Sequence, residues 1–485
     1  MALGEIDYGL LGLIGGLMVF VTFFNGLLAS ANSRFYAFSI GEASVATDRE
    51  AALEECRKWF NTALSIHTIL PCCLILIGYP CGIYVIEHFL EIPSVRLSAC
   101  LWVFRFLCLS CFVGMINVPF TAMYGAKQAI AELTVYSFIS STLNVVFVYH
   151  MVTHPGDWLA RYAAWACLLS IVPQIIICIR ACMVFPECKI SFKYMWDVKR
   201  LKRVGSFSFW QFLGGLCGML RVQGVLIILN KFFGAAMNAA QNIGNSVQGH
   251  CNTLAAAMQG AFVPVITQAC GAGDYDRMNR CVIRVCKFNV LLSLIFMLPL
   301  SLELQEVMRI WLKNPPAFST GLCYCGMLFY LVDCCTVGHM VAVNASGRIA
   351  RYQVVLSAIN VFTLPIAVVL GFMTKNVYCI MGVVVSMQVL NSIGRLIFAR
   401  VICKTGLRAW IAEVLRPSII AIGVTAVIGF IPHFYMRASL CRVGVTTLIC
   451  EIVFVPLTWF VLLSQSERSF VREKCFLHLC HIIKG

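Results

Sequence analysis

Thirteen stretches of about twenty mostly apolar residues follow one another along this chain. They fall at about 8–30, 62–86, 97–122, 131–151, 159–182, 206–230, 236–262, 282–302, 318–343, 352–374, 377–402, 415–436 and 441–463. A helix rises about 1.5 Å per residue, so roughly twenty such residues match the ~30 Å hydrocarbon core of a bilayer. The rest of the composition agrees. Of 485 residues, 60% are hydrophobic and 12% charged, with a mean hydropathy of +0.85, where a soluble domain carries about 25% charge. The runs are too long for the roughly ten-residue alternating strands of an outer-membrane barrel. The prediction is an all-α polytopic membrane protein of about 13 transmembrane helices. The connections are short except at 31–61, 183–205 and 263–281, which leaves no room for a separate soluble domain.

Charge sets an orientation. If the 31–61 connection is cytoplasmic and the connections alternate, 27 Lys and Arg fall on the cytoplasmic side and 8 on the other. Arg105 and Arg221 remain within spans. This bias predicts a cytoplasmic C-terminus and, with an odd number of spans, an outside N-terminus. It also accounts for the net charge of +15 through attraction to anionic lipid, so no nucleic-acid partner is expected. The 26 cysteines lie mostly inside spans, where Cys behaves as a small hydrophobe. Cys475, His478, Cys480 and His481 read as part of an amphipathic tail rather than a metal site. No metal and no other cofactor is expected.

One span carries an uncharged polar stripe. Asn238, Gln241, Asn245, Gln248 and Asn252 recur at steps of three and four, so they share one helical face. The charged turn GAGDYDRM (271–278) follows that span. The same plan appears earlier, where the first span leads into RFYAFSIGEASVATDREAALEECRKWFN (34–61). The corresponding glycines, Gly41 and Gly271, are 230 residues apart. A second echo pairs AMYGAKQAIAELTVYSFISSTLN (122–144) with AVNASGRIARYQVVLSAIN (342–360), and there Gly125 and Gly347 are 222 residues apart. Two echoes at similar spacing predict two pseudo-symmetric lobes, related by an axis along the membrane normal.

LGEIDYGLLGLIGG (3–16), GLLASANSRF (26–35), GAGDYDRM (271–278) and NASGRIARYQ (344–353) together resemble the bacterial O-antigen and capsular polysaccharide flippases. These belong to the multidrug/oligosaccharidyl-lipid/polysaccharide exporter superfamily. The resemblance covers essentially the whole chain. It implies two lobes plus an extra C-terminal helix pair. It also implies translocation of an undecaprenyl-diphosphate-linked oligosaccharide across the bacterial inner membrane, for surface polysaccharide export, by alternating access. Members of the family carry one more helix before the LGEIDYG-like segment. Residues 1–183 then form an N-terminal lobe of five helices that lacks the family's first. Residues 184–405 form a C-terminal lobe of six helices, and 406–485 form the extra pair and a basic cytoplasmic tail. The implied partners are the lipid-linked oligosaccharide, membrane lipids and other polysaccharide assembly proteins. A cation-coupled multidrug exporter of the same superfamily is the alternative. A polymerase or ligase of polysaccharide assembly fits less well, because the outer connections are short.

Moving a diphosphate and a sugar chain through hydrocarbon needs fixed positive charge and amides in a wet cavity. Charge inside a span costs roughly 2.5–3.5 kcal/mol on insertion scales. Arg105 and Arg221 each fit either a cavity cation for the diphosphate or a snorkelling side chain. Gln223 and the glycines at 214, 215 and 218 favour the cavity for Arg221. The amide stripe Asn238, Gln241, Asn245, Gln248 and Asn252, with Asn25 on the first span, reads as cavity wall for sugar hydroxyls. Asp333 reads as a coupling site or as a latch closing on Arg105. His67, His339 and Glu303 read as interfacial, and Pro71, Pro173, Pro264, Pro299 and Pro365 as points where spans bend. There is no phosphate-binding GxxxxGK[ST] loop and no HExxH or GxSxG motif. No catalytic site is expected, and the chain is read as a transporter rather than an enzyme.

Overall fold

The computed structural model describes residues 5–90, 92–154 and 156–472. Cys475, His478, Cys480 and His481 lie outside the described residues. Within them the chain is helical throughout, joined by short turns. The helices are α1 (Glu5–Gly16), α2 (Val19–Val45), α3 (Arg49–His88), α4 (Ser94–Ala126), α5 (Ile130–Thr153), α6 (Leu159–Val184), α7 (Val198–Phe233), α8 (Ala235–Gly271) and α9 (Tyr275–Leu312). After these come α10 (Ser319–Cys334), α11 (Val337–Ser346), α12 (Ala350–Thr374), α13 (Val377–Cys403), α14 (Leu407–Trp410), α15 (Arg416–Gly429), α16 (Pro432–Tyr435), α17 (Leu440–Leu457) and α18 (Gln465–Val471). Eleven helices are long and apolar enough to cross a membrane, or thirteen if the bent pairs α1–α2 and α10–α11 each count as one. The thirteen apolar runs fall on these helices to within a residue or so.

Two of the three long connections expected from sequence are mostly helix. α2 continues to Val45 and α3 begins at Arg49, so only residues 46–48 of the 31–61 stretch are a turn. The Asp48 carboxylate caps α3 by accepting from the Ala51 amide at 3.0 Å. Ion pairs one turn apart, Arg57–Glu54 at 3.5 Å and Lys58–Glu55 at 3.6 Å, suit a helix that has left the hydrocarbon. At 40 residues, α3 is about 60 Å long, twice the hydrocarbon thickness. Likewise α8 runs to Gly271 and α9 starts at Tyr275. Gly273 takes a φ of +70° in the turn between them, which only glycine adopts cheaply. The third connection is irregular, and α3 holds it. Asn61 accepts from the Ser191 amide at 2.7 Å and donates to the Lys189 carbonyl at 3.1 Å, while Ser65 donates to the Met195 carbonyl at 2.8 Å.

Pro71, Pro173, Pro264 and Pro365 sit inside helices without a break. Pro299 stands four residues before Glu303, where the backbone of α9 leaves the helical region (φ −112°, ψ 16°) and the helix is kinked. The bends above 40° are at residues 17–18 and at Cys335–Thr336, where the sequence offers Gly15-Gly16 and an Asp-Cys-Cys-Thr run. His67, His339 and Glu303 are buried within the protein, at 0%, 1% and 1% exposure.

By its contacts the chain divides into two compact units, Met1–Leu213 with Thr267–Asp274, and Gly214–Ile266 with Tyr275–Gly485. The first has an aromatic core of Tyr36, Phe60, Phe120, Tyr124 and Phe185 from α2, α3, α4 and the start of the 183–205 connection. The second is organised on α9, in which 78% of the most apolar stretch is buried, against no more than 44% in any other unbent span. Leu291, Leu294 and Leu298 of α9 pack with Met327 and Tyr330 of α10 and Phe454 of α17.

Within the first unit, the two glycines of the repeat meet. A Cβ on Gly41 would collide with the Gln268 carbonyl, and one on Gly271 with the Phe38 carbonyl. Each glycine thus sits against the residue three positions before the other. Gln268 also donates to the Ala126 carbonyl at 2.6 Å and accepts from Gln128 at 3.2 Å. The last turn of α8 is therefore joined both to α2 and to the turn after α4. We predict that G41V and G271V each lower the thermal unfolding midpoint of the detergent-solubilised chain, by about 1–3 kcal/mol of stability from overpacking. Because both probe one contact, the double variant should lose less than the sum. Unchanged midpoints in both single variants would refute the crossing.

Candidate functional site

The site forms in the second unit, where α8 and α10 approach closely. A Cβ added at Gly244 would lie 3.3 Å from the Leu322 carbonyl oxygen, and one at Gly326 would lie 3.5 Å from the Gly244 carbonyl oxygen. Small residues at such crossings let helix backbones come together. The amide face of α8 is thereby set against α10, with Gln248 beside Gly326. Between them and α7 lies a cavity of about 80 Å³, lined by Arg221, Gln241, Asn245, Gln248 and Phe329, with Met381 and Val384 among the apolar part of its wall. A water occupies ~30 Å³ of liquid, so this conformation has room for two or three waters.

The cavity is electropositive and rich in amides. The Arg221 guanidinium lies over the Phe329 ring, 4.5 Å from its centroid, a contact worth about 0.5–2 kcal/mol. Among the described residues its Nε is buried without a hydrogen-bond partner, and so is the Gln241 Oε1. Gln241 donates to the Asn245 Oδ1 at 3.1 Å. Among the described residues Arg221 forms no ion pair. Such an arrangement offers hydrogen-bond donors to an anion or a hydroxyl, amide oxygens as acceptors, and an aromatic face.

The structure thus brings four of the sequence candidates together and leaves others apart. Asn238 does not line the cavity, and its Oδ1 is buried without a partner among the described residues. Asn252 accepts a hydrogen bond of 2.7 Å from the Tyr330 hydroxyl. Asn25 and Arg105 belong to the first unit. The Asn25 Oδ1 is buried and has no partner among the described residues. Arg105 is exposed and rests over Trp102, one turn earlier on α4, at 4.8 Å.

Asp333 has a different partner from the expected Arg105. Its Oδ1 is 2.7 Å from Arg395 Nη1 and accepts from Gln388 Nε2 at 2.7 Å. Arg395, placed by its sequence position among the cytoplasmic-side charges, lies within α13 with only 12% of its side chain exposed. Asp333 stands at the bend of 46° between α10 and α11, and the same helix α13 serves the bend. Ser392 donates to the Val332 carbonyl at 3.2 Å, and Thr336 donates to Ser392 at 3.1 Å. The Trp410 indole donates to the Cys335 carbonyl at 2.7 Å. Asp333 and Arg395 both lie within electrostatic range of Arg221. Phe329, Gln388 and Arg395 were not singled out from sequence. The signal that was available is a charge, Arg395, inside an otherwise apolar run.

A second buried ion pair holds α17 on α9. Glu303 accepts from Arg442 Nε at 3.0 Å and Nη2 at 2.9 Å, and from the Thr446 hydroxyl at 2.8 Å, and lies 3.4 Å from His433. The described residues contain no group of three or more His, Cys, Asp or Glu side chains able to hold a metal.

No family model matches this sequence, and no curated protein sequence matches it. Solved structures share the fold. A MOP superfamily transporter from Pyrococcus furiosus, described as having a binding pocket of reversed polarity that suggests a different function, superposes with a TM-score of 0.65 at 15% identity, over 81% of this chain and 87% of that one. An outward-facing multidrug resistance MATE family transporter of the MOP superfamily gives 0.61 at 15% identity, over 83% and 87%. A MATE structure in the bent conformation gives 0.66 at 13% identity, over 81% and 87%. The chain has the fold of these transporters.

The pairing of Asp333 predicts a specific mutant pattern. R395M should cost about 2–3 kcal/mol, toward the low side of the range for breaking a buried pair, since 26% of the Asp333 side chain is exposed. D333N keeps an acceptor for Gln388 and should cost less. In the D333N/R395M double variant the loss should fall short of the sum, as read from unfolding midpoints. Strict additivity would show that the two side chains do not act on each other.

Proposed function

We propose that this chain translocates an undecaprenyl-diphosphate-linked oligosaccharide across a bacterial inner membrane by alternating access, for surface polysaccharide export. The observation that carries the reading is the cavity cation. Arg221 stands in a membrane-spanning helix with no ion pair among the described residues, over an aromatic ring and facing three amides. Diphosphate recognition needs a guanidinium free to form paired hydrogen bonds. A sugar chain needs amides that give and accept hydrogen bonds, and an aromatic face. The cavity of about 80 Å³ is too small for a sugar ring, so on this reading the substrate enters in a conformation with a wider cavity. The transporter fold of the solved structures supports the mechanism class, and the segments at 3–16, 26–35, 271–278 and 344–353 support the substrate class. In this reading Arg105 and Asn25 are the first unit's candidates for the same substrate, Asn238 and Asn252 extend the amide face, and the C-terminus is cytoplasmic. Other polysaccharide assembly proteins supply the substrate and take the product.

A second reading has support of its own. One solved structure with this fold is a multidrug resistance transporter, and Asp333 is an intramembrane carboxylate that a coupling cation would use. Its engagement by Arg395 and Gln388 weighs against that role, because a cation would have to displace a guanidinium already in place.

Reconstituted vesicles separate the two. With the native chain, a fluorescent lipid-diphosphate oligosaccharide should move between leaflets. R221Q should slow that movement about tenfold or more, the loss of roughly one charged hydrogen-bonded contact, and R221K should restore only part of it because an ammonium cannot bind bidentately. Cation-gradient-driven dye efflux without lipid movement would overturn the flippase in favour of the exporter.

A further inference from the structure

A larger cavity lies elsewhere in the second unit, between the start of α9, the α13–α15 connection, and the end of α17 with α18. Its volume is about 770 Å³, within the roughly 300–1,000 Å³ of sites that hold small ligands. Arg280, Arg284 and Lys287 of α9 line it at steps of four and three, so they form one stripe on one face. Arg416 at the start of α15 lines it as well. Like charges one turn apart repel, and such a stripe persists where something answers it.

Among the described residues, one of the four cations is fully answered by a carboxylate. The Lys287 ammonium is 2.8 Å from Glu467, and both side chains are nearly inaccessible, at 4% and 2%. Although burial opposes its charged form, Lys287, the Ser464 amide and the Ser464 hydroxyl hold the Glu467 carboxyl below the usual carboxylate range. Arg284 makes one long contact, to the Ser466 hydroxyl at 3.4 Å. Among the described residues Arg280 and Arg416 form no ion pair. Asp276 and Glu413 also line the cavity, and neither pairs with these arginines among the described residues. A further polar group is unsatisfied. The Asn279 side chain donates to the Lys404 carbonyl at 3.3 Å, but its Oδ1 is buried without a partner among the described residues. The cavity therefore presents guanidinium donors for an anion together with acceptors that need a donor.

The position of the cavity narrows the class. Its walls are residues 276–287, 405–420 and 461–467, and the apolar runs of these helices begin near 282 and 415 and end near 463. All three walls thus straddle the level at which hydrocarbon gives way to headgroups. Val282, Ile283, Ile420, Val461 and Leu462 supply an apolar side next to the charges. Basic pockets between spans at this level suit lipid headgroups.

We propose that this cavity is a binding site for a bilayer phospholipid whose phosphodiester carries a hydrogen-bonding headgroup, of the phosphatidylglycerol and phosphatidylethanolamine class. Arg280, Arg284 and Arg416 hold the phosphate. Asn279, Asp276 and Glu413 accept from the headgroup hydroxyls or ammonium, and the apolar side takes the upper acyl chains. The site is separate from the Arg221 cavity and does not depend on which substrate is transported.

The test is a thermal-shift titration of the full chain in a neutral detergent with short-chain phosphatidylglycerol, phosphatidylethanolamine, phosphatidylcholine and free glycerol 3-phosphate. The first two lipids should raise the unfolding midpoint saturably, and phosphatidylcholine, whose headgroup has no hydrogen-bond donor, should do so only at far higher concentration. R280Q/R284Q/R416Q should shift half-saturation by about tenfold or more, while R348Q/R351Q, outside the cavity, should leave it unchanged. R416Q alone, at the cavity's edge, should give a smaller shift in the same direction and keeps the test informative if the triple variant does not fold. Three results would overturn the proposal. These are equal stabilisation by phosphatidylcholine, an unchanged titration in both arginine variants, and saturation of the effect by glycerol 3-phosphate, which would make the ligand a soluble phosphate ester.

Discussion

Backbone satisfaction at the α10–α11 bend sets much of the second unit. In hydrocarbon a freed carbonyl finds no water, and each unpaired group costs several kcal/mol. A bend of 46° within a span creates such groups at Val332, Asp333 and Cys335. They are answered by the Ser392 hydroxyl of α13, by the Thr336 amide within the bend, and by the Trp410 indole of α14. The bend therefore requires α13 and α14 at fixed positions. The same helix face then brings Gln388 and Arg395 to the Asp333 side chain.

Helix packing in such a chain cannot rely on the hydrophobic effect, since lipid tails are as apolar as leucine. Close backbone contact at glycines takes its place. Gly41 and Gly271 join α2 to the last turn of α8, and Gly244 and Gly326 join α8 to α10. Gly338 of α11 lies against the Val282 carbonyl of α9. The α8–α10 crossing also shapes the candidate site, because it turns an amide face and an aromatic ring toward one small cavity.

What the sequence made legible follows from periodicity. The apolar runs located the spans, and steps of three and four located the amide face that three residues, Gln241, Asn245 and Gln248, bring to the cavity. The repeat spacing paired Gly41 with Gly271, which the fold places in contact. Periodicity carries no information about partners far apart in the chain, so Asp333–Arg395 and Glu303–Arg442 were not legible. Apolar runs also understate helix length. They mark where side chains meet lipid, whereas capped and ion-paired helices such as α3 continue into water. Four of the five prolines misled for a related reason. Neighbouring helices and side chains re-satisfy the groups they free. Apart from the kink in α9 that follows Pro299, the chain bends where Gly15-Gly16 or the polar Asp-Cys-Cys-Thr run stands.

The arrangement of buried charge gives Arg221 its meaning. Arg395, Arg442 and Lys287 each stand against a carboxylate in the same unit. Among the described residues Arg221 does not, and its burial at roughly 2.5–3.5 kcal/mol is offset only in part by the Phe329 ring. The carboxylate whose field reaches it is Asp333. Arg395 and Gln388 already hold that carboxylate, each at 2.7 Å. With both of these partners in place, Asp333 makes no ion pair with Arg221 among the described residues. The buried Asp333–Arg395 pair thus stands beside a buried cation that has no ion pair among the described residues, and the proposed flippase function takes that cation as its anion site.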